Sequence, residues 1–263
     1  DPGIRTGTKA ACLVENGKFL GYFMFFQDRK EESKRIIAEH INKYKLELIA
    51  VGNGTGSQDV QAVVSEAITQ YNLPVQYTVV SEDGASVYSA SDIAREEFPE
   101  LDLTIRGAIS IGRRLQDPLS ELVKIDPKSI GVGLYQHDVN QTELSKSLDE
   151  VVESVVNRVG VNVNTASFSL LKYASGINSF VAKNIVEYRD DFGTIRSRDE
   201  LRKISGFGDK TFEQAAGFLK IPESNDQLDN SWVHPENYDV AREILDIMKN
   251  GGKGISQSDK TML

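Results

Sequence analysis

Two short turns with the same layout carry the residues best suited to bind an anion. The first is Ser175-Gly176-Ile177-Asn178 and the second is Ser205-Gly206-Phe207-Gly208, and each lies between two helical segments. Glycine permits a positive φ and lets a phosphate approach the backbone closely. The helix after each turn presents free N–H groups and the positive end of its dipole, which favour an anion. The pattern therefore predicts a pair of phosphate-binding hairpins, with Ile177 or Phe207 filling the gap between the two helices.

Basic side chains near the second turn are the predicted partners of the phosphates: Arg196, Arg198, Arg202, Lys203 and Lys210. The alternative is that they form a solvated basic face and that the turns belong to ordinary helical hairpins that merely pack together. The second turn has both glycines, whereas Asn178 takes the second glycine position in the first turn. Asparagine tolerates the left-handed region, so the first turn still forms, but its approach to a phosphate is less close.

This layout resembles the tandem helix-hairpin-helix module, and most closely the pair in ComEA-type DNA-binding proteins, where a stretch like Asn164-Thr165-Ala166-Ser167 opens the unit. Such modules contact the nucleic-acid backbone rather than the bases, so the resemblance implies sequence-independent, salt-sensitive binding. The residues assigned to the interface are Gly176, Ile177, Asn178, Gly206, Phe207, Gly208, Arg202, Lys203 and Lys210.

Asp1 and Glu82 are acidic residues next to predicted strands. Asp1 stands before a predicted strand hairpin, and Glu82 ends a predicted strand. Hard divalent ions prefer carboxylate oxygens, and two-metal phosphodiester cleavage needs three or four converging carboxylates. The alternative is that both carboxylates simply accept hydrogen bonds from turn amides.

The same residues resemble motifs of the RNase H-like superfamily, in its YqgF and RuvC branch. In that branch a first aspartate and a strand-end glutamate bind Mg²⁺, and a helix with the pattern Asp-x-x-Ala-Ala supplies a further aspartate. The equivalent helix here begins with Arg106 at the aspartate position. The resemblance implies a vestigial acidic site of Asp1, Glu82 and Arg106 without catalysis, unless a neighbour such as Asp83 or Asp102 supplies the third carboxylate. The alternative function is a Mg²⁺-dependent, structure-specific nuclease of the RuvC type.

The elements that would position these residues change in type along the chain. Through about residue 120 the pattern predicts a hairpin with an Asn-Gly turn, then helix, strand, helix, strand and helices, one of them over 86–98. This alternation is typical of an α/β domain with a mixed sheet. Beyond it the strand signal disappears and short helices follow. The predicted fold class is α/β plus all-α, an RNase H-like mixed-sheet domain followed by a helical helix-hairpin-helix domain.

Charge differs between the predicted domains. These are an RNase H-like domain (1–120), a connecting loop and helix (121–159), the hairpin domain (160–221), and a C-terminal helix with a flexible tail (222–263). The chain has a net charge of −9, which argues against a uniformly basic nucleic-acid binder. Residues 1–159 hold 17 basic and 24 acidic side chains, 160–221 hold 9 and 7, and 222–263 hold 4 and 8. The excess of basic residues in the hairpin domain fits local contact with a phosphate backbone.

Composition indicates an ordinary globular protein of a reducing compartment. The chain is 40% hydrophobic and 26% charged, and no apolar run approaches the roughly 20 residues that span a bilayer. No signal peptide opens it, and Cys12 is its single cysteine, so an internal disulfide is excluded. We therefore expect a cytoplasmic protein without a membrane segment. The lack of an initiator methionine predicts that the chain is a piece of a larger protein.

Several longer stretches share one further resemblance. They are residues 1–7, 51–55, 81–89, 113–126, 131–140 and 232–236, which together with the hairpin pair extend over nearly the whole chain. They resemble the Tex family of bacterial transcription accessory proteins. The resemblance implies a YqgF-type domain generally thought to be non-catalytic, the hairpin domain and, elsewhere in the full protein, an OB-fold domain that carries much of the RNA binding.

The resemblance also sets the expected partners. They are nucleic acid, either DNA or RNA and without sequence preference, and RNA polymerase. A third hypothesis is that the acidic α/β domain serves as a protein-interaction scaffold for the polymerase. No cofactor, no intact metal site and no membrane contact are predicted.

Overall fold

Two units make up the chain in the computed structural model, which describes residues 1–3 and 5–249. The first unit is Asp1–Val152 and the second begins at Glu153. The predicted tail after residue 249 lies outside the described residues, and the finer domain boundaries drawn from the sequence remain predictions. Within the described part of the chain, no helix is both long enough and apolar enough to cross a membrane.

The first unit alternates strands and helices, as the sequence predicts. Its elements are β1 (Thr8–Leu13), β2 (Phe19–Phe25), α1 (Lys30–Tyr44), β3 (Leu48–Gly52), α2 (Ser57–Gln70), β4 (Gln76–Val80), α3 (Ala85–Ala90), α4 (Asp92–Glu97), α5 (Leu103–Gln116), α6 (Pro118–Leu122) and α7 (Pro127–Ile130). Helix α8 (Gln141–Val159) contains the boundary between the units.

The Asn-Gly turn joins β1 and β2 into an antiparallel hairpin. Gly17 has a φ of 81°, and the Asn16 side chain accepts a hydrogen bond from the backbone N–H of Lys18 at 3.2 Å. These contacts are those of a tight turn that requires a left-handed residue. The predicted hairpin is therefore confirmed, with one bulge between Cys12 and Leu13.

The predicted helix over 86–98 is divided in two at Ser91. This residue has extended backbone angles, φ −70° and ψ 160°, and its hydroxyl accepts a hydrogen bond from the N–H of Ala94 at 3.2 Å. Serine is a favoured N-cap because its side chain satisfies a free amide of the new helix. The chain therefore ends α3 and restarts as α4 at this point.

Helices cover the strands of the first unit on both faces. Side chains of α1, α2 and the strands form one core cluster that includes Phe25, Ile37, Ile41, Val51 and Val64. Helix α5 contacts β1, β3 and β4 but contributes no residue to that cluster, so it packs on the opposite face. Strands β3 and β4 pair in parallel through the crossover helix α2.

The α/β class is confirmed, and antiparallel and parallel pairing both occur. Within the described residues, however, the hairpin and the parallel pair form separate two-stranded sheets rather than one hydrogen-bonded mixed sheet.

The second unit is helical, as predicted. Its elements are β5 (Val161–Asn162), α9 (Phe168–Leu171), α10 (Ser179–Phe192), α11 (Asp209–Ala215), β6 (Leu219–Lys220), α12 (Tyr238–Lys249) and 3₁₀ helices at Asp199–Lys203, Gln227–Asn230 and Pro235–Asn237. Strands β5 and β6 pair in parallel but have two residues each. They are too short to produce the alternating pattern by which a sequence reveals a strand.

Candidate nucleic-acid interface

The first predicted turn forms, and its asparagine acts as a helix cap. Gly176 has a φ of 80°, and the N–H of Ile177 donates to the carbonyl of Ala174 at 3.1 Å. Asn178 is extended rather than left-handed, and its Oδ1 accepts from the N–H of Val181 at 2.9 Å. The asparagine side chain therefore already accepts a hydrogen bond from one of the amides at the start of α10, so that this amide is not available to a phosphate.

The second turn has the same backbone but no side-chain cap. Gly206 has a φ of 84°, and the N–H of Phe207 donates to the carbonyl of Ile204 at 3.0 Å. Gly208 precedes α11 with extended angles and makes no side-chain cap bond. A side chain added at Gly208 would meet nothing within 4 Å. This turn therefore leaves open space over an uncapped start of a helix.

The two left-handed glycines are also packing residues. A methyl group at Gly176 would lie 2.9 Å from Cβ of Gln214 in α11, and one at Gly206 would lie 2.8 Å from the Phe180 ring in α10. Each turn thus packs against the second helix of the other hairpin. Ile177 and Phe207 are buried, as predicted for residues that fill the space between helices.

Three of the predicted phosphate partners lie on the surface around the second turn. Lys203 and Lys210 are exposed, and neither forms an ion pair with any residue that the structure describes. Arg202 is paired with Asp209, and its guanidinium carbon lies 3.7 Å from the centroid of the Phe212 ring. The two lysines are therefore the cations that remain available to a ligand at this turn. Arg196 is also exposed, farther along the chain from the turn.

Arg198 lies in the interior, which is inconsistent with a contact to phosphate. Its side chain is about 1% exposed. The guanidinium donates hydrogen bonds to the carbonyls of Leu219, Leu228, Ser231 and Val233 and to the hydroxyl of Tyr238, at 2.7–3.3 Å. This arginine instead connects β6, through Leu219, to the segment between Leu228 and Tyr238.

Asn164, in the predicted opening stretch, also has a structural role. Its side chain donates to the carbonyl of Ile195 at 3.0 Å and accepts from the N–H of Ile195 at 2.9 Å. Three residues later, the Ser167 hydroxyl caps α9 through the N–H of Leu170. The stretch therefore joins the start of the unit to the segment between the two hairpins.

Glu82 and Pro2, the neighbour of Asp1, both lie against Gly52 at the C-terminal end of β3; Asp1 and Glu82 are called the carboxylate pair. The Glu82 carboxylate occupies the space that Gly52 and Gly54 leave open, and Pro2 lies against Gly52 from another side. The backbone N–H of Glu82 donates to Oδ1 of Asn53 at 3.0 Å. Residues 51–55 were singled out in the sequence, but no role was predicted for Gly52 and Gly54. A side chain at either position would collide with the Glu82 carboxylate.

Arg106 points away from this carboxylate pair. Its guanidinium donates to the carbonyls of Phe98 at 3.0 Å, Pro99 at 3.4 Å and Ser89 at 3.5 Å. The next residue, Gly107, faces Asp1: a methyl group there would lie 3.1 Å from the Asp1 carboxylate. The helix therefore presents neither a carboxylate nor a guanidinium to Asp1 at this position.

Other neighbours of the carboxylate pair are held in structural contacts. Asp102 caps α5 by accepting from the N–H of Thr104 at 2.8 Å, and hydrogen bonds from Thr104 lower the pKa of its carboxyl. Arg114 donates to the carbonyls of Ser81 and Asp83 at 2.9 and 2.8 Å and so holds the loop that carries Glu82. Burial lowers the pKa of Arg114. In the described residues no three or more histidine, cysteine or acidic side chains form a metal-binding group.

These observations define a class of protein. Its members have an α/β unit with a carboxylate pair near a strand end, followed by a helix-hairpin-helix unit. Residues 1–116 match the family described as Tex protein YqgF-like domain, and residues 156–220 match the one described as Helix-hairpin-helix motif. The chain belongs to the Tex family, so the resemblance drawn from its longer stretches is confirmed.

Relatives with the family name match almost the whole chain. "Protein tex" of Bordetella pertussis is 52% identical over 99% of this chain and 35% of its own length. "Transcriptional accessory protein Tex" of Neisseria gonorrhoeae is 51% identical over 93% of the chain and 32% of its own length. The human "S1 RNA-binding domain-containing protein 1" is 43% identical over 84% of the chain and 23% of its own length. The chain thus spans about a third of the bacterial relatives that it matches.

Proposed function

We propose that this chain is a nucleic-acid-binding part of a Tex-type transcription accessory protein of the cytoplasm. It contacts the phosphate backbone of DNA or RNA without sequence preference, and the second hairpin turn is its principal contact. The observation that carries the proposal is the open, uncapped turn at Gly208 beside two exposed lysines. The match to the helix-hairpin-helix motif and the RNA-binding name of the human relative support it.

The mechanism is electrostatic and depends on the backbone. The amides at the start of α11 point to the surface at Gly208, so a phosphate oxygen placed there receives hydrogen bonds and the favourable end of the dipole. Lys203 and Lys210 add two mobile positive charges. The first turn contributes less, because Asn178 already caps its helix. The two hairpins are thus unequal, and most of the binding free energy comes from the second.

Gly208→Asp is expected to weaken binding about tenfold without unfolding the protein. The extended backbone at Gly208 suits an N-cap aspartate, and exchanging glycine for such a cap changes stability by only a few tenths of a kcal/mol. The introduced carboxylate, however, accepts hydrogen bonds from the amides at the start of α11, and its negative charge repels phosphate. We expect the slope of log affinity against log salt to decrease, for each phosphate that the variant no longer neutralises, by about 0.9 with duplex DNA and about 0.7 with a single strand. Fluorescence anisotropy with a random-sequence duplex and a single-stranded RNA measures both quantities.

Gly208→Asn is the matched control, because it copies the cap of the first turn without adding charge. We expect it to reduce affinity by about threefold, less than the aspartate does, since it removes an amide site but adds no repulsion. Equal affinity and equal salt slope in the wild type and in Gly208→Asp would show that this turn does not bind the nucleic acid.

The α/β unit is proposed to be non-catalytic. Among the described residues no three acidic side chains lie together as a metal-binding group, and Gly107, which has no side chain, faces the Asp1 carboxylate. We expect no cleavage of duplex, branched or single-stranded substrates by the purified protein with Mg²⁺ or Mn²⁺. Metal-dependent cleavage that disappears in Glu82→Gln would instead establish the nuclease alternative.

RNA polymerase is the proposed protein partner, with the acidic first unit as its docking region. The names of the bacterial relatives and the net charge of −7 over residues 1–159 support this assignment. A pull-down with the full protein that recovers no polymerase subunit, while nucleic-acid binding is intact, would count against the partner alone.

A further inference from the structure

Phe180 holds an exposed aromatic ring beside the second hairpin turn. The residue is 60% exposed, although phenylalanine is among the residues most often buried in a core. A methyl group at Gly206 would lie 2.8 and 2.9 Å from Cε1 and Cδ1, two neighbouring atoms on one edge of the ring. The ring therefore contacts the turn by that edge, and most of its surface is open to solvent.

Helix α10 fixes the position of the ring relative to the turns. Phe180 is the second residue of this helix and follows closely after Asn178, the cap of the first turn. Asn184, on the same face one helical turn later, donates from Nδ2 to the carbonyl of Ser205 at 2.7 Å. This face of α10 is thus held against the second turn at two points, and the ring lies close to both turns.

The two aromatic side chains of the second unit that are more exposed already have a partner. The centroids of the Phe192 and Tyr188 rings are 4.9 Å apart, and Nζ of Lys220 lies 3.1 Å from the centroid of the Trp232 ring. In the part of the chain that the structure describes, neither another ring nor a cation lies over Phe180. Its ring is therefore free to stack on a planar ligand.

The charge and spacing around the ring suit a nucleotide. The exposed ammonium groups of Lys203 and Lys210 lie around the same turn. Gly208, the proposed phosphate contact, is two residues from Gly206, which limits the separation of their Cα atoms to about 7 Å. A base lies at a similar distance from its own phosphate. A nucleotide with its phosphate at Gly208 can therefore place its base on the Phe180 ring.

We propose that Phe180 stacks on an unpaired base of a single strand whose phosphate is held at the second turn. The inference rests on the proposed function and adds to it a preference for single-stranded over double-stranded nucleic acid. Every base has a flat face, so the contact has no sequence preference. In a duplex the faces of the bases are covered by neighbouring base pairs, so a duplex binds the turns through its backbone alone.

Phe180→Leu tests this contact, because it removes the flat ring but keeps an apolar side chain over Gly206. We expect it to weaken binding of a single strand about fivefold and to leave the affinity for a duplex unchanged. The salt slope is expected to stay as in the wild type, since no charge is lost. Fluorescence anisotropy with oligothymidylate and oligouridylate of one length shows whether DNA, RNA or both use the ring.

Three controls isolate the stacking. An abasic strand of the same length has the same phosphates and no bases, so the wild type and Phe180→Leu are expected to bind it equally. Phe192→Leu makes the same exchange at an exposed position at the other end of α10 and is expected to bind every ligand like the wild type. Phe180→Tyr keeps the ring and is expected to keep the affinity for single strands.

Unchanged affinity of Phe180→Leu for both single strands would overturn the inference and leave the proposed function intact. An equal loss for the duplex and the abasic strand would also overturn it, since the ring would then only support the turn. Equal binding of natural and abasic strands by the wild type would do the same, whether or not the variant folds. A wild type that binds neither single strands nor duplex would overturn the proposed function as well.

Discussion

Arg198→Met is expected to destabilise the second unit by about 3–5 kcal/mol, because it removes the donor shared by several buried acceptors. Four carbonyls and the Tyr238 hydroxyl accept from this guanidinium. Tyr238 in turn donates to the buried Asp229 at 2.7 Å, and burial together with this carboxylate raises the pKa of Tyr238. Methionine matches the length of the side chain but leaves these acceptors unpaired and the Asp229 charge less compensated.

Urea unfolding followed by circular dichroism measures this change. Arg196→Met is the matched control, because that arginine is two residues away and exposed, and it is its backbone N–H that donates to the Glu200 carboxylate. We expect the control to differ from the wild type by less than about 0.5 kcal/mol. Equal unfolding midpoints for the two variants would show that the buried network contributes nothing to stability.

Lys124→Met is expected to cost the first unit about 3–5 kcal/mol. The Lys124 ammonium is about 1% exposed and lies 2.5 Å from the Glu121 carboxylate and 2.8 Å from Glu97. Glu121 is itself about 2% exposed, and its second oxygen accepts from the Ser110 hydroxyl at 2.9 Å. Removing the lysine leaves a carboxylate in the interior with two more distant arginines to balance it, Arg113 at 3.8 Å and the buried Arg114.

The double variant Lys124→Met with Glu121→Gln distinguishes charge from packing. If the loss arises from an unpaired buried charge, neutralising Glu121 is expected to recover at least half of it. Calorimetric or denaturant unfolding of the two single variants and the double variant completes the cycle. Additive losses in the double variant would contradict the ion-pair explanation.

The same cluster predicts a pH dependence. Burial opposes ionisation of Glu97, but Lys124 and Arg113 outweigh it and hold the pKa of Glu97 below its ordinary value of 4.5. A carboxyl whose pKa is lowered by folding stabilises the protein above its unfolded pKa, and this stability is lost as the pH falls through the folded pKa. The wild type should therefore lose stability below about pH 4.5, and Lys124→Met should lose less over that interval.

Local sequence signals predicted the elements whose causes are themselves local. The Asn-Gly turn, the two glycine turns and the apolar residues between their helices depend on backbone preferences of a few neighbours. For these features, neighbouring residue types were sufficient.

Charged residues in the interior were not predictable in the same way. Arg198 was interpreted as a surface cation and Arg106 as part of the acidic site. The Arg198 guanidinium instead binds carbonyls 33 and 35 residues away in sequence, and the Arg106 guanidinium binds carbonyls of the loop seven and eight residues before it. The sequence alone does not distinguish an arginine that binds water from one that binds phosphate or carbonyls, because these partners depend on how the chain packs. The roles of Gly52 and Gly54 were missed for the same reason, since Glu82 approaches them from another strand.

The reciprocal packing of the two glycine turns has a consequence for the shape of the nucleic acid. Because Gly176 lies against α11 and Gly206 lies against α10, a single interface sets the separation between the turns. In the proposed complex, therefore, the two turns would contact two phosphates at one fixed spacing, whatever the bases between them. Nucleic acids would then be distinguished by the width of their grooves, and a duplex that changes its groove width would no longer reach both turns at once.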